Sequence, residues 1–321
     1  MPPPNTGVND SGLSSAIKSR SAHVVHLTHN DLDAVGADAV HRMMYGTEGV
    51  FTIWSSVGKF AQLFSLVASC EGKGDLISIS DLGYHRETES IAATAKKNGW
   101  NVEWRDHHRW RDEEVRKIET VVTLLHIDTS VCGTRIVARD IAPENPVAAE
   151  VARVVCDYDL WKHADPRSAV LGLVLQRKHN RDHVRDCLVQ GIFSDELIER
   201  EYTEISAEMQ TMMQRSLNQA TFSGMKYRIV FAPLYGYPSE TAHFIRDQKK
   251  TDIEVIVGKD GKFSIRSVPP ISHLIAREFG GGGHPNAAGG TFNFTIIERF
   301  TWWLFKKSRH YEDLVKVAEK A

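Results

Sequence analysis

Residues 26–38, "HLTHNDLDAVGAD", set the terms for the whole chain. A β-rich run, "SAHVVHLT" at 21–28, ends there, and His29, Asp31 and Asp33 follow at alternate positions. In an extended chain, residues two apart point to the same side. The interior of a buried strand has no use for such groups, so they face water or hold something. Carboxylate oxygens with an imidazole nitrogen suit Mn²⁺, Fe²⁺ or Zn²⁺, and the lack of thiolates argues against a structural cysteine-type zinc site. Residues 34–44 read as a helix. The same aspartates are therefore also candidates for turn and helix-cap chemistry, and the triplet alone leaves both readings open.

The pattern recurs downstream. "DLISISD" is a strand-like run ending in Asp81, and "RETESIAATAKKNGW" after it is helical in character. "NVEW" is a third strand, running into Asp106-His107-His108, and "TVVTLLHID" a fourth. Strands alternating with helices predict an α/β unit with a mostly parallel sheet. In such sheets ligands bind off the carboxyl ends of the strands, where all three polar groups fall. An acid beside paired histidines can orient an imidazole by accepting its second N–H. The flanking Arg105, Arg109 and Arg111 keep a solvated-loop reading available. Asp159 in "CDYDLWKH" is a further candidate, with Asp157 and Asp128 as its competitors.

From Ser194 the pattern changes. Ile198, Tyr202, Ile205, Met209 and Met212 are spaced 4, 3, 4 and 3, one face of an amphipathic helix. Its position makes it a connector. Beyond it come "MKYRIVFA", a helical "SETAHFIRDQ", and "DIEVIV" and "FSIRS" flanking the turn "GKDGK", which reads as a hairpin. A second, smaller α/β domain closed by a helix around "IERFTWWLFKK" is expected. The expected division is a disordered lead over 1–20, a first domain over 21–193, a connector helix over 194–218 and a second domain over 219–321. In "FGGGGHPNAAGG" the glycines permit positive φ and close backbone approach, and their N–H groups can line an anion site. Arg266 in "SIRS" could offer phosphate a fork of donors.

The 321 residues are 42% hydrophobic and 25% charged, enough for a sizeable core and, as a prior, two domains. A formal net charge of -2 gives no general attraction to duplex nucleic acid, so an anionic substrate must be held locally. The four cysteines form no CxxC pair and are expected to be reduced core thiols of a cytoplasmic protein. No signal peptide and no membrane span is expected.

Together these pieces resemble the DHH phosphoesterase superfamily, in the branch with a C-terminal DHHA1 domain. "THNDLDAVG", "ISD", "DHH" and "DYDLW" match its metal motifs in order, "SVCGTRIV" resembles the segment before the fourth, and "SIRS" and "GGGGHPNAAGG" match its substrate-binding motifs. The resemblance covers residues 22–295. The Y-D-x-W frame is most similar to nano-RNase B-type oligoribonucleases and their archaeal relatives. Ala34 stands where many relatives have glycine.

The resemblance implies two divalent ions, Mn²⁺ first, with Mg²⁺, Co²⁺ or Fe²⁺ as substitutes. Asp81 would bridge them. His29 and Asp31 would complete one site, and Asp33, His107 and Asp159 the other. Asp106 and His108 would be catalytic, His108 contacting the scissile phosphate and Asp106 supporting the ligands from behind. Arg266, Ser267, Gly281, Gly282, Gly283 and His284 would bind substrate. The implied activity is hydrolysis of short single-stranded oligonucleotides to mononucleotides by a metal-activated water. Cyclic di-AMP or 3′-phosphoadenosine 5′-phosphate are alternative substrates, and an inactive nucleotide-binding regulator is the alternative class. The glycine cluster distinguishes the chain from type II inorganic pyrophosphatases. The sequence leaves the assembly open, a homodimer among the options.

Overall fold

The structure is a computed structural model, and it describes residues 10–321. The described residues form two compact units that divide between Thr203 and Glu204. The boundary falls inside a long helix, Glu196–Asn218.

The first unit is built on five parallel strands: β1 (Val24–Thr28), β2 (Val50–Trp54), β3 (Leu76–Ser80), β4 (Asn101–Asp106) and β5 (Leu124–Ile127), in the order β2-β1-β3-β4-β5. Every residue of β1 is buried, as expected for a central parallel strand covered on both faces. Helices Leu32–Tyr45, Phe60–Ala68, Thr88–Lys97 and Asp112–Glu119 are the crossovers. One face packs Phe60, Phe64, Ile79 and Trp104, with Trp104 edge-on to Phe60 at 5.4 Å and to Trp110 at 4.9 Å. On the helix Leu32–Tyr45, Leu32 and Val35 pack against Val151 and Val155 of the helix Pro146–Asp159.

Two features depart from the expectations of sequence. "VFTIW" is the edge strand β2, paired with β1 residue for residue, where only four strands were expected. Its apolar run merges with that of the following helix, which hides the change of period. Part of the lead over 1–20 is ordered as well: Asp10–Lys18 is an α-helix, while residues 1–9 lie outside the described residues. The reason is apolar burial, since Ile17 is fully buried in the first core. Just beyond the helix, Arg20 pairs with Asp75 at 2.6 Å.

The cysteine expectation also needs correction. Cys132 and Cys156 form a disulfide across 24 residues, and only Cys70 and Cys187 are free. Packing of the helices Gly133–Ile141 and Pro146–Asp159 brings the two Cα atoms to 5.2 Å. The inference of a reducing compartment rested on reduced thiols, and this pair removes its basis. Closing a loop of this size stabilises by ~3 kcal/mol on the chain-entropy model. Cys156→Ser should therefore lower unfolding free energy by that amount in non-reducing urea melts. A loss under about 1 kcal/mol would count against a formed bond.

The second unit carries a six-stranded mixed sheet: β6 (Thr221–Ser223), β7 (Ile229–Pro233), β8 (Ile253–Val257), β9 (Lys262–Ser267), β10 (Gly282–His284) and β11 (Ala287–Thr291), in the order β10-β11-β9-β8-β7-β6. β7 and β8 are parallel through the helix Pro238–Lys249, and β8 and β9 are the expected antiparallel pair across "GKDGK". Phe231, Val255, Ile265, Phe292 and Leu314 are in its core. The fold is thus α/β, with a parallel sheet in the first unit and a separate mixed sheet in the smaller second unit. On Glu196–Asn218, Ile198 and Ile205 are fully buried, whereas Tyr202 is exposed. Among the described residues no helix is long and apolar enough to cross a membrane.

Candidate metal centre

Three parallel strands end side by side, and each delivers its polar residues at its carboxyl end. β1 leads into His29 and Asp31, β3 into Asp81, and β4 into His107 and His108, with Asp106 as its last residue. Asp31 caps the helix Leu32–Tyr45, its Oδ1 accepting from Ala34 N at 3.1 Å. Capping and ligand geometry therefore coexist: Oδ2 lies 2.7 Å from His29 Nδ1. Asp81 has a left-handed backbone, φ +52°, uncommon for a residue with a side chain and concentrated at functional sites.

Three overlapping groups of potential ligands result, each with its ligand atoms within 4.8 Å of one another: His29, Asp31 and Asp81; Asp33, His107 and Asp159; and Asp81, His107 and His108. The first two are the candidate metal sites, since His108 is engaged by Asp106. Asp81 reaches both, with Oδ2 3.7 Å from His29 Nδ1 and Oδ1 3.2 Å from His107 Nε2. His107 lies 3.7 Å from Asp33 Oδ2 through Nε2 and 3.6 Å from Asp159 Oδ2 through Nδ1. Asp159 ends the helix Pro146–Asp159, so the fourth segment arrives from a helix rather than a strand.

The electrostatics suit cations. Asp81 Oδ2 and Asp159 Oδ2 are buried without a hydrogen-bond partner, a costly state for a carboxylate unless something else satisfies it. Burial, then the charges of Asp31, Asp33 and Asp159, push the Asp81 carboxyl well above its ordinary range. Burial and the charges of Asp33 and Asp31 push Asp159 up to about 8. Burial likewise raises Asp33. Asp31 alone goes down, to about 2, because the bond and charge of His29 outweigh its burial. Hard oxygen and imidazole donors around unneutralised buried charge fit divalent ions of the Mn²⁺ or Mg²⁺ kind.

Neighbouring residues fix the donors. Asp33 accepts from Gly133 N and Thr134 N, both at 2.7 Å, at the start of the helix Gly133–Ile141. A helix N-terminus favours a carboxylate there. His108 Nδ1 lies 2.7 Å from Asp106 Oδ1, and Trp110 Nε1 donates to Asp106 Oδ2 at 2.7 Å. The Asp106 bond pushes His108 above its ordinary value and so favours its cationic form. Of the competing acids, Asp157 is engaged by Ala164 N, Asp165 N and Ser168 Oγ, and Asp128 by Ser130. Neither joins a ligand group.

Several contributors carry no signal of their own in the sequence. The disulfide ends at Cys132, next to Gly133, and at Cys156, three residues before Asp159, so it ties together the supports of two ligands. A Cβ on Gly133 would sit 2.8 Å from Asp33 Oδ2 and 3.3 Å from Asp81 Cβ. Gly133→Ala should thus displace a ligand and weaken Mn²⁺ binding by roughly 10–100-fold in calorimetric titration; unchanged affinity would show that the carboxylate has room to move. Lys178 Nζ donates to Asn30 O at 2.8 Å, which puts a cation beside the first ligand loop. Trp161 is 46% exposed with φ +55°, two residues beyond Asp159.

In the second unit, Arg266 and His284 each pair with Ala287 in register. Directly paired residues share a sheet face, so both side chains lie on one face two strand spacings apart, about 10 Å. Arg266 donates to Ser239 Oγ at 2.6 Å and to Ile265 O at 3.0 Å. Gly282 and Gly283 form the exposed edge strand β10, and a Cβ on Gly281 would overlap Gly289 O. The Ser267 hydroxyl is buried and engaged with Pro269 O and Ser272 Oγ, at 2.6 and 2.7 Å.

No family model and no curated protein matches the sequence. Solved structures do match the fold. The DHH domain of a member of the s1p family of ribosomal proteins superposes with a TM-score of 0.60 at 16% identity, over 92% of this chain and 89% of that one. An exonuclease RecJ bound to manganese gives 0.56 at 15%, over 95% and 93%. A pGpG-specific phosphodiesterase from Vibrio cholerae gives 0.54 at 12%, over 88% and 98%. At these identities the likeness is one of fold alone, shared among others with a solved DHH domain.

Proposed function

We propose that this protein, which has the DHH fold, is a metal-dependent phosphodiesterase that hydrolyses short oligonucleotides to mononucleotides. The observation that carries this reading is the pair of histidine–carboxylate groups sharing Asp81, with buried oxygens of Asp81 and Asp159 left unpartnered. It is supported by fold neighbours that include a manganese-bound exonuclease and a phosphodiesterase. Divalent ions held by His29, Asp31, Asp81, Asp33, His107 and Asp159 would polarise a phosphoryl oxygen and bring the pKa of water from 15.7 toward about 7.

The chain's own residues bind and orient. His108, steered by Asp106, donates from its other ring nitrogen to a non-bridging phosphate oxygen. Lys178 adds positive charge near the first ligand loop. Trp161 offers an exposed indole on which a base can stack. In the second unit, Arg266 and His284 share one sheet face and present donors suited to a phosphate or a ribose. The net charge of -2 favours a short substrate held locally over a long duplex held by the general field.

Trp161→Ala should raise KM for dinucleotides with little change in kcat. Loss of one stacking contact is worth about 1–3 kcal/mol, roughly five- to 150-fold. An unaltered KM would remove Trp161 from the binding site. The reading as a whole is tested by offering Mn²⁺-loaded protein labelled oligoribonucleotides from dimers upward, cyclic di-AMP, 3′-phosphoadenosine 5′-phosphate and pyrophosphate. Dimers should be cleaved fastest, to mononucleotides. Turnover of another substrate alone would replace the assignment, and binding without turnover of any would mark a regulatory module.

A further inference from the structure

A further group of metal-type donors lies apart from the strand ends and contains a thiol. The helix Arg181–Val189 presents His183 and Cys187 four residues apart, hence on one face. Asp195 lies just before the helix Glu196–Asn218. Asp195 uses Oδ1 to accept from Ile198 N at 2.9 Å, which leaves Oδ2 for the cluster. His183 Nε2 is 2.7 Å from Asp195 Oδ2, and Cys187 Sγ is 3.5 Å from each.

We propose that His183, Cys187 and Asp195 form a binding site for a borderline-soft divalent cation, Zn²⁺ above all. The geometry of the donors points to it. Zinc bonds of about 2.3 Å to sulfur and about 2.0–2.2 Å to nitrogen and oxygen, at tetrahedral angles, require S···N and S···O edges of roughly 3.5 Å and an N···O edge of roughly 3.3 Å. Two of the three edges already have that length. The third needs to open by about 0.6 Å, a small rotation of side chains that are 40% and 33% exposed. That exposure leaves the fourth coordination position to water. No Lys or Arg pairs with Asp195 among the described residues, so no fixed cation competes for its charge. On binding, the sulfur–hydrogen bond breaks, the sulfur–metal bond forms and the proton leaves to solvent. The bound ion would pin the end of one helix to the start of the long helix that leads into the second unit.

The donor chemistry separates this site from the strand-end centre, which contains no cysteine. Metal-freed protein, kept without reductant so that Cys132 and Cys156 stay bonded, is titrated with Co²⁺ and followed in the near ultraviolet. A thiolate-to-cobalt charge-transfer band should grow to saturation, and Zn²⁺ should abolish it by displacement. The band should persist in Asp33→Asn and vanish in Cys187→Ser. His183→Gln, on the exposed side of the cluster, should keep the fold and weaken the cobalt affinity about tenfold or more. Cobalt uptake by wild-type protein without the band, a band that survives Cys187→Ser, or unchanged affinity in His183→Gln would each overturn the proposal.

Discussion

Asp33→Asn should abolish nearly all metal-dependent turnover while the protein remains folded. The substitution keeps the volume of a fully enclosed side chain at the start of the helix Leu32–Tyr45. It replaces one carboxylate oxygen with an NH₂ group. In wild type, both oxygens accept backbone N–H bonds from Gly133 and Thr134, and Oδ2 also faces His107. Whichever way the amide is turned, one of those N–H groups meets another donor, a cost of about 1–3 kcal/mol. A folded domain can absorb that. The negative charge that a cation would neutralise is lost as well. Altering groups behind a ligand costs roughly 10–100-fold in metal affinity, and altering a ligand itself should cost at least as much. Three readouts belong together: loss of turnover by about a hundredfold or more, loss of the rise in Tm that Mn²⁺ gives wild type, and an unchanged far-ultraviolet dichroism spectrum. Near-normal turnover would remove Asp33 from the ligand set.

The same site sets a pH dependence. Asp33, Asp81 and Asp159 are raised in the folded protein, Asp159 to about 8. Groups raised on folding contribute stability that is present below their unfolded values, about 4, and is lost as pH rises through the folded ones. The metal-free protein should therefore lose stability between about pH 4 and 8, whereas metal uptake, which displaces those protons, strengthens over the same range.

The second large effect concerns Asp38, which stands in the opening stretch without an assigned role. It is fully buried behind the metal centre. Its Oδ1 accepts from Thr52 Oγ1 at 2.7 Å and lies 2.8 Å from His26 Nδ1, and its Oδ2 accepts from Arg42 Nε at 3.0 Å. Arg185 lies 3.7 Å away. His26 in turn reaches Ser80, the residue before Asp81, at 2.8 Å, and stacks on His41 at 4.0 Å. Removing the only anion of this group leaves Arg42 buried without its counter-charge and takes away the partner of His26 Nδ1. Asp38→Ala should cost about 3–5 kcal/mol, the usual penalty for breaking a buried ion pair from one side. Urea melts at neutral pH measure it, and a loss below about 1 kcal/mol would show that water or rearrangement satisfies the cations. The Asp38 carboxyl is held far below its ordinary range, by His26 first, with Arg42 and Arg185, against the opposing effect of burial. For a depressed carboxyl the stabilisation is fully present above the unfolded value, about 4, and is lost as pH falls from there toward the folded one. Part of the acid sensitivity of wild type should therefore be missing in Asp38→Asn.

The amino-acid sequence by itself determined the layering and the residue types at the strand ends. Alternation of β-rich runs with helical ones is a local, periodic signal, and so is the placing of His29, Asp31, Asp81, Asp106, His107 and His108 just where those runs stop. "VFTIW" escaped because its apolar run continues into a helix, and Asp10–Lys18 because a polar, glycine-containing segment gives no hint that Ile17 is buried.

Tertiary structure alone decided who meets whom. Asp33 is held by Gly133 and Thr134 a hundred residues on, Cys132 bonds to Cys156 across two packed helices, and His183 and Cys187 face Asp195 across a turn. The physical reason is that distances between remote side chains are fixed by how helices pack and in which order strands pair. That packing is a sum over the whole core, which no short window of sequence contains.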